Sequence, residues 1–295
     1  QPLQDISEKV NLLQSAMASS ERIFQLLDEP VTVLEPATPA ILPESPRGEV
    51  RFEDVWFRYS ETGPWVLKGV SFVAAPGRTV AIVGHTGAGK TTVISLLLRF
   101  YEPVRGRITI DGVDIREMST HDLRGLIGFV QQDLFLFTGD VLHNLVLDAP
   151  IPAAQAQEAA ARVGADRFVR RLPAGYGHQL AERGRNLSVG ERQLLSFARA
   201  LARDPRILVL DEATSSVDAE AEAQIQQAIA ELMRGRTAIV VAHRLSTILH
   251  ADEILVFHHG EIRERGTHRA LLAQEGLYQR LYLLQAGSGE ARRSA

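Results

Sequence analysis

Residues 84–91 read GHTGAGKT, a G-x-x-x-x-G-K-[ST] spacing whose chemistry is the grip of a polyphosphate. Gly84, Gly87 and Gly89 let backbone N–H groups turn toward one point. A helix that starts directly afterwards adds its free amides and the positive end of its dipole. Lys90 brings a full charge for β- and γ-phosphates, the Thr91 hydroxyl can ligate Mg²⁺, and Thr92 can reach an α-phosphate. His85, Thr86 and Ala88 complete the expected nucleotide lining. A second acidic element, ILVLDE at 207–212, places Asp211 and Glu212 after four apolar residues. Asp211 suits a Mg²⁺ ligand acting through water, and Glu212 suits a general base on an attacking water.

These groups need a scaffold of a particular kind. Thr79–Val83, Arg206–Leu210 and Thr237–Ala242 are short apolar runs of the sort found in buried parallel strands. Helical stretches alternate with them, at Lys90–Tyr101, 190–203 and 219–233, which predicts an α/β layered domain. In open sheets of this kind ligands bind at the C-terminal strand ends, where both motifs fall. Ahead of this core, Glu49–Tyr59 alternates apolar and polar, and Trp65–Val73 does so less cleanly. A short turn at Glu61–Pro64 predicts antiparallel pairing of the two. Helices at Ala153–Arg162 and Asp166–Leu172 suggest a helical subdomain inserted over about 133–200. Residues 1–29 carry apolar residues at helical steps (Ile6, Val10, Leu13, Met17) and read as a helical arm. Five prolines between Pro30 and Pro46 read as a stiff extended linker over 30–47, not a packed element. The 285–295 tail is Gly/Ser/Arg-rich and reads as disordered.

Composition excludes several alternatives. The formal charge of −4 argues against a nucleic-acid backbone as main partner. Cysteine is absent, which removes disulfides, thiolate metal sites and a cysteine nucleophile. No run of 18 apolar residues spans a bilayer, and the N-terminus lacks a signal-peptide layout. His258 and His259 fall in a turn, match no metal-ligand spacing, and are read as solvated.

Leu187–Gln193 (LSVGERQ), some 20 residues before the 207–212 acidic strand, resembles the signature of ATP-binding-cassette (ABC) ATPases. The resemblance covers about 48–284 and is closest to the nucleotide-binding domain of an ABC exporter half-transporter. It implies a P-loop NTPase core with a mainly parallel sheet, an N-terminal antiparallel β subdomain and an inserted helical subdomain. It implies roles by matching motif. Tyr59 would stack on adenine. Gln132, in VQQDLFLF, would touch Mg²⁺ beside Thr91 and Asp211 and connect to the membrane domain. Ser188, Val189 and Gly190 would face the γ-phosphate held by an opposite subunit, with Asp218 at the dimer seam. His243 would sense the γ-phosphate and act with Lys90 and Glu212 in catalysis. Glu182–Gly184 (ERG) would contact a transmembrane partner.

The resemblance further implies an ATPase driving export through an ATP-sandwich dimer. The segment SSERIFQLLDEP at 19–30 resembles the join to an exporter's last membrane helix. The membrane half of the same polypeptide would then lie upstream, and the ATPase would sit on the cytoplasmic face of a bacterial inner membrane. The signature departs from the family's LSGGQ: Val189, which restricts the backbone, replaces a glycine, and Glu191 replaces a glutamine, either adding negative charge near a phosphate or pointing harmlessly along its own helix. That departure favours a heterodimer over a homodimer. The alternative reading, a soluble ABC-type clamp, would call for coiled-coil or tandem-cassette sequence and a more basic surface.

Overall fold

The computed structural model describes residues 2–43, 45–131, 134–147, 149–211, 219–242 and 248–284. It divides into two units, Gln1–Leu34 and Glu35–Ala295. The first unit is the helix α1 (Pro2–Leu27), on which Ile6, Leu13, Met17 and Phe24 are all exposed.

The second unit is built on a six-stranded sheet. In space its order is β12 (Glu261–Gly266), β11 (Glu253–His258), β3 (Thr79–Gly84), β10 (Thr237–Val241), β9 (Ile207–Asp211) and β6 (Ile127–Val130). All neighbours are parallel except the edge strand β12, which is antiparallel to β11. Side chains alternate between two hydrophobic cores, as the two-residue period of a strand requires. Ala81, Val83, Leu208, Leu210, Ala238 and Val240 enter one core, with α5 (Ala153–Arg162), α7 (Val189–Ala202) and α8 (Ala219–Met233). Val80, Ile82, Ile207, Val209, Ile239 and Val241 enter the other, with α2 (Lys90–Leu97). This second core also takes Phe52, Val55, Phe72 and Ile108 from a four-stranded antiparallel sheet. That sheet is ordered β2 (Leu67–Ala74), β1 (Val50–Phe57), β4 (Arg105–Ile110) and β5 (Val113–Asp114). The helix α2 is thus packed between two sheets, which explains why four apolar residues on one short helix (Val93, Ile94, Leu96, Leu97) are all buried.

Within 133–200 the described chain forms α4 (Val141–Val146), α5, α6 (Asp166–Val169), most of α7, and a small ladder of β7 (Gly139–Asp140) with β8 (Gln179–Leu180). The helix α6 is shorter than the expected Asp166–Leu172, because the chain beyond it continues in i→i+3 turns (Arg171 N–H to Phe168 O, Leu172 N–H to Val169 O).

Two further departures from the sequence reading have physical causes. The helix predicted over Lys90–Tyr101 stops at Leu97, because Arg99 takes φ 52° and closes a Schellman motif: Phe100 N–H bonds Ser95 O (2.9 Å) and Arg99 N–H bonds Leu96 O (3.0 Å). Glycine usually marks such a stop. Here the buried Arg99 guanidinium holds it instead, donating to Met118 O and to Glu102. The proline-rich stretch is extended but, from Glu35 onward, it is tied down. The Glu35 carboxylate accepts from Thr120, Ala40 N–H bonds Glu117 O, and the Asp111 carboxylate accepts from the amides of Arg47, Gly48 and Glu49.

Candidate nucleotide-binding site

The ends of β3, β9, β10 and β11 that share one edge of the parallel sheet carry the chemistry. At that edge the loop 84–89 joins β3 to α2. Its glycines are required by the backbone. Gly84 has φ 155°, and a Cβ there would lie 2.4 Å from Phe257 O. Gly89 caps α2 at φ 101°, where a Cβ would meet Leu67 Cδ2 at 2.7 Å. Gly87 has φ 78° with open space on its missing side chain's side, so a ligand can approach the main chain there.

Lys90 is 7% exposed, and its ammonium donates to Gly84 O and His85 O, both at 2.9 Å. The head group is therefore held at the mouth of the loop by two backbone carbonyls. Burial pushes the Lys90 ammonium below its ordinary range, while the Asp211 carboxylate pulls the other way. Asp211, half-buried at the end of β9, is thus electrostatically coupled to Lys90 from two strands away. Thr91 is exposed at the first turn of α2. Thr92 is buried, and its hydroxyl shares a 3.0 Å hydrogen bond with the Tyr59 hydroxyl. The Tyr59 ring is 54% exposed and meets Phe57 and Tyr101 edge-on, at 4.9 and 5.1 Å. This anchors one end of an aromatic surface beside the phosphate loop. The structure therefore gathers Tyr59, the 84–92 run and Asp211 on one edge. Gln132, Glu212, Asp218 and His243 lie outside the described residues.

Ser188 caps the helix α7. Its Oγ accepts from Glu191 N–H (3.2 Å), and the Glu191 carboxylate turns back to accept from Ser188 N–H (2.9 Å). Glu191 therefore closes a capping box instead of leaving its charge in the open. The carboxylate is thus turned back onto its own helix, the second of the two placements that the sequence allows. Ser188, Gly190 and Glu191 border a cavity of about 410 Å³ that Arg167 and Arg171 also line.

Sequence reasoning missed a clamp and a patch on the loop after β6. Asn144 is fully buried. Its side chain bonds both Phe137 N–H (2.8 Å) and Phe137 O (2.9 Å), and accepts from Arg199 (3.1 Å). Arg199 also donates to Phe135 O and Asn144 O. The clamp leaves the Phe135 and Phe137 rings about half exposed and edge-on to each other at 4.9 Å, with Arg183 of the ERG turn 5.9 Å from the Phe135 ring. The alternating aromatics of DLFLF were the available signal, but nothing local to the sequence places ERG beside them. Asn144→Ala is expected to lower stability by roughly 1–3 kcal/mol, the cost of leaving buried backbone groups unpaired. Urea denaturation measures this, and amide exchange of 134–137 should rise with it.

A third cluster also escaped the sequence reading. His258 and His259, read as solvated, lie against His85 of the phosphate loop, with one ring nitrogen of each within 4.8 Å of the others. Desolvation, then the neighbouring His259 and His85 and next Arg263, holds His258 below the usual imidazole range.

Comparison with known proteins bears on this arrangement. The ABC transporter family profile matches residues 67–215. A fatty acid ABC transporter ATP-binding/permease protein of Mycobacterium bovis is 49% identical over 95% of this chain and 44% of its own length. A probable multidrug resistance ABC transporter ATP-binding/permease protein of Bacillus subtilis is 48% identical over 97% of this chain and 42% of its own. An ATP-dependent lipid A-core flippase of Chromohalobacter salexigens is 44% identical over 98% of this chain and 50% of its own. The chain spans about half the length of the curated relatives it matches. Among solved structures, a bacterial Atm1-family ABC exporter with ATP bound superimposes with a TM-score of 0.81 at 39% identity, over 92% of this chain and 48% of that one.

Proposed function

This chain belongs to the ABC transporter family and has its ATPase fold, and from that premise we propose that it is the ATP-hydrolysing motor domain of an exporter. The observation that carries the proposal is the Lys90 ammonium, buried and held by two loop carbonyls at the mouth of a glycine nest, with Asp211 coupled to it. That nest fits a triphosphate: Gly87 leaves open space over the main chain, α2 begins directly after the loop, and the Lys90 ammonium can trade its carbonyl partners for phosphate oxygens. The oxygen donors Thr91, Asp211 and Gln132 suit Mg²⁺, which when bound would neutralise triphosphate charge. Tyr59 offers its exposed ring face to adenine. Glu212 orients and deprotonates the attacking water, and His243 holds the transferred phosphoryl's charge.

In this reading, one chain leaves the site half-built. Ser188 and Gly190, at the N-terminus of α7, complete the site of a second ATPase chain, with Asp218 at the seam. The partner is a second copy or a related chain. Closing on ATP and reopening after hydrolysis would move a membrane half through the Phe135, Phe137 and Arg183 patch, which unites the two segments expected to meet it. No described helix is long and apolar enough to cross a membrane. In this reading the membrane half corresponds to the length of the ATP-binding/permease relatives that this chain does not match. The cytoplasmic face of a bacterial inner membrane is the place this assigns to it.

Shared sites make a kinetic prediction. Phosphate release from MgATP should rise more steeply than linearly with chain concentration, until pairing saturates. Strictly proportional rates across a wide concentration range would contradict a site built from two chains.

A further inference from the structure

His85 enters the ATPase reading as part of the loop, whose backbone holds Lys90; the three imidazole rings clustered beside it are not used there. The cluster is a product of strand register. The strands β3 and β11 run parallel with Gly84 opposite Phe257, so the next residues, His85 just past β3 and His258 at the end of β11, come side by side. Successive strand residues would normally point to opposite faces. His259 escapes that rule because it takes φ 50°, and its ring comes to lie 4.2 Å from that of His258. The His85 ring sits 5.1 Å from His258 and 5.2 Å from His259.

The scaffold on both sides is fixed. Gly260 has φ 83°, and a Cβ there would meet Val66 O at 2.3 Å. Its N–H bonds Ala88 O of the loop (3.2 Å), and its carbonyl accepts from Lys68 N–H (2.9 Å). His85 Nδ1 lies 2.8 Å from Thr86 O. A carbonyl can only accept, so Nδ1 carries the proton and Nε2 presents its lone pair. A backbone carbonyl on the distal nitrogen is the usual support of a metal-ligating histidine.

We propose that His85, His258 and His259 form a binding site for a divalent transition-metal ion, zinc being the first choice, that ties the phosphate loop to the β11–β12 turn. Three neutral imidazoles select zinc, nickel or copper over magnesium and calcium, which take oxygen ligands. With Zn–N bonds of about 2.0–2.1 Å, tetrahedral ligands stand roughly 3.4 Å apart, so rotamer adjustments of about 1 Å close the present spacing. A fourth position stays open to water. Arg263, which acts on His258, is itself paired with Glu261 at 2.7 Å. The site stands on the histidine geometry and does not depend on the ATPase reading.

The test uses the tag-free 295-residue chain, stripped with a chelator and titrated with zinc chloride by calorimetry without nucleotide. One zinc per chain with a Kd on the order of micromolar is expected. His259→Asn suits the left-handed turn, because asparagine tolerates positive φ, and should weaken binding by at least about tenfold. Zinc should also slow amide exchange over 85–89 in the parent chain and not in the variant. Absence of binding below millimolar zinc, equal affinity in the variant, or binding without protection of the loop would each overturn the proposal. Should the variant fold poorly, X-ray absorption of the parent chain's zinc decides: an imidazole-rich shell supports the site, and an oxygen-only shell refutes it.

Discussion

Lys90→Ala is expected to lower the affinity for MgATP by about 10- to 10²-fold. An ionised hydrogen bond to phosphate contributes roughly 1.5–3 kcal/mol, and each ~1.4 kcal/mol is a factor of ten in Kd. The residue is placed for this effect. Its ammonium is presented at the loop mouth by Gly84 O and His85 O, and its aliphatic stem is buried with the start of α2. Little stability should be lost, because the two carbonyls sit in an exposed loop that water can reach. Calorimetry at equal loading measures the change. An unchanged Kd would remove the phosphate-loop reading.

Glu212→Gln should act on the other half of the reaction. The amide keeps the carboxylate's shape but cannot take a proton from water, so turnover should fall by on the order of 10²–10⁴-fold with nucleotide affinity retained. The contrast between the two substitutions separates binding from chemistry. A stalled chain should also accumulate as ATP-bound pairs, visible as a doubled mass by light scattering. Undiminished phosphate release would remove Glu212 as the base, and a stalled chain that stays single would argue against closure on a second ATPase domain.

The nucleotide loop was readable in the sequence because its determinants are local. Glycines at 84, 87 and 89 impose the turn within six residues, and the strand and helix on either side follow from short apolar runs. Much of the parallel sheet was readable for the same reason: β9 and β10 are buried on both faces, so their sequences are nearly unbroken aliphatic runs.

What escaped depends on contacts distant in sequence. The end of α2 was misread because a buried arginine, held by Met118 O, does what a glycine usually does. The Asn144 clamp joins Phe137 to Arg199 across more than fifty residues. The meeting of ERG with the DLFLF aromatics requires the folded positions of both loops. The histidine cluster needs a parallel register between β3 and β11 and a left-handed residue at 259, neither of which a spacing rule contains. Glu191 illustrates the opposite case. Its capping partner Ser188 stands three residues before it, so the S-x-x-E pattern in LSVGE carries this placement locally.

Amide exchange across residues 84–92, followed with and without ATP and Mg²⁺, tests the central claim most directly. The account predicts strong nucleotide-dependent protection at Gly87, Gly89, Lys90 and Thr91, where N–H groups of the loop and the first turn of α2 would be taken up by phosphate oxygens. ATP binding that leaves those amides exchanging at their nucleotide-free rates would contradict it.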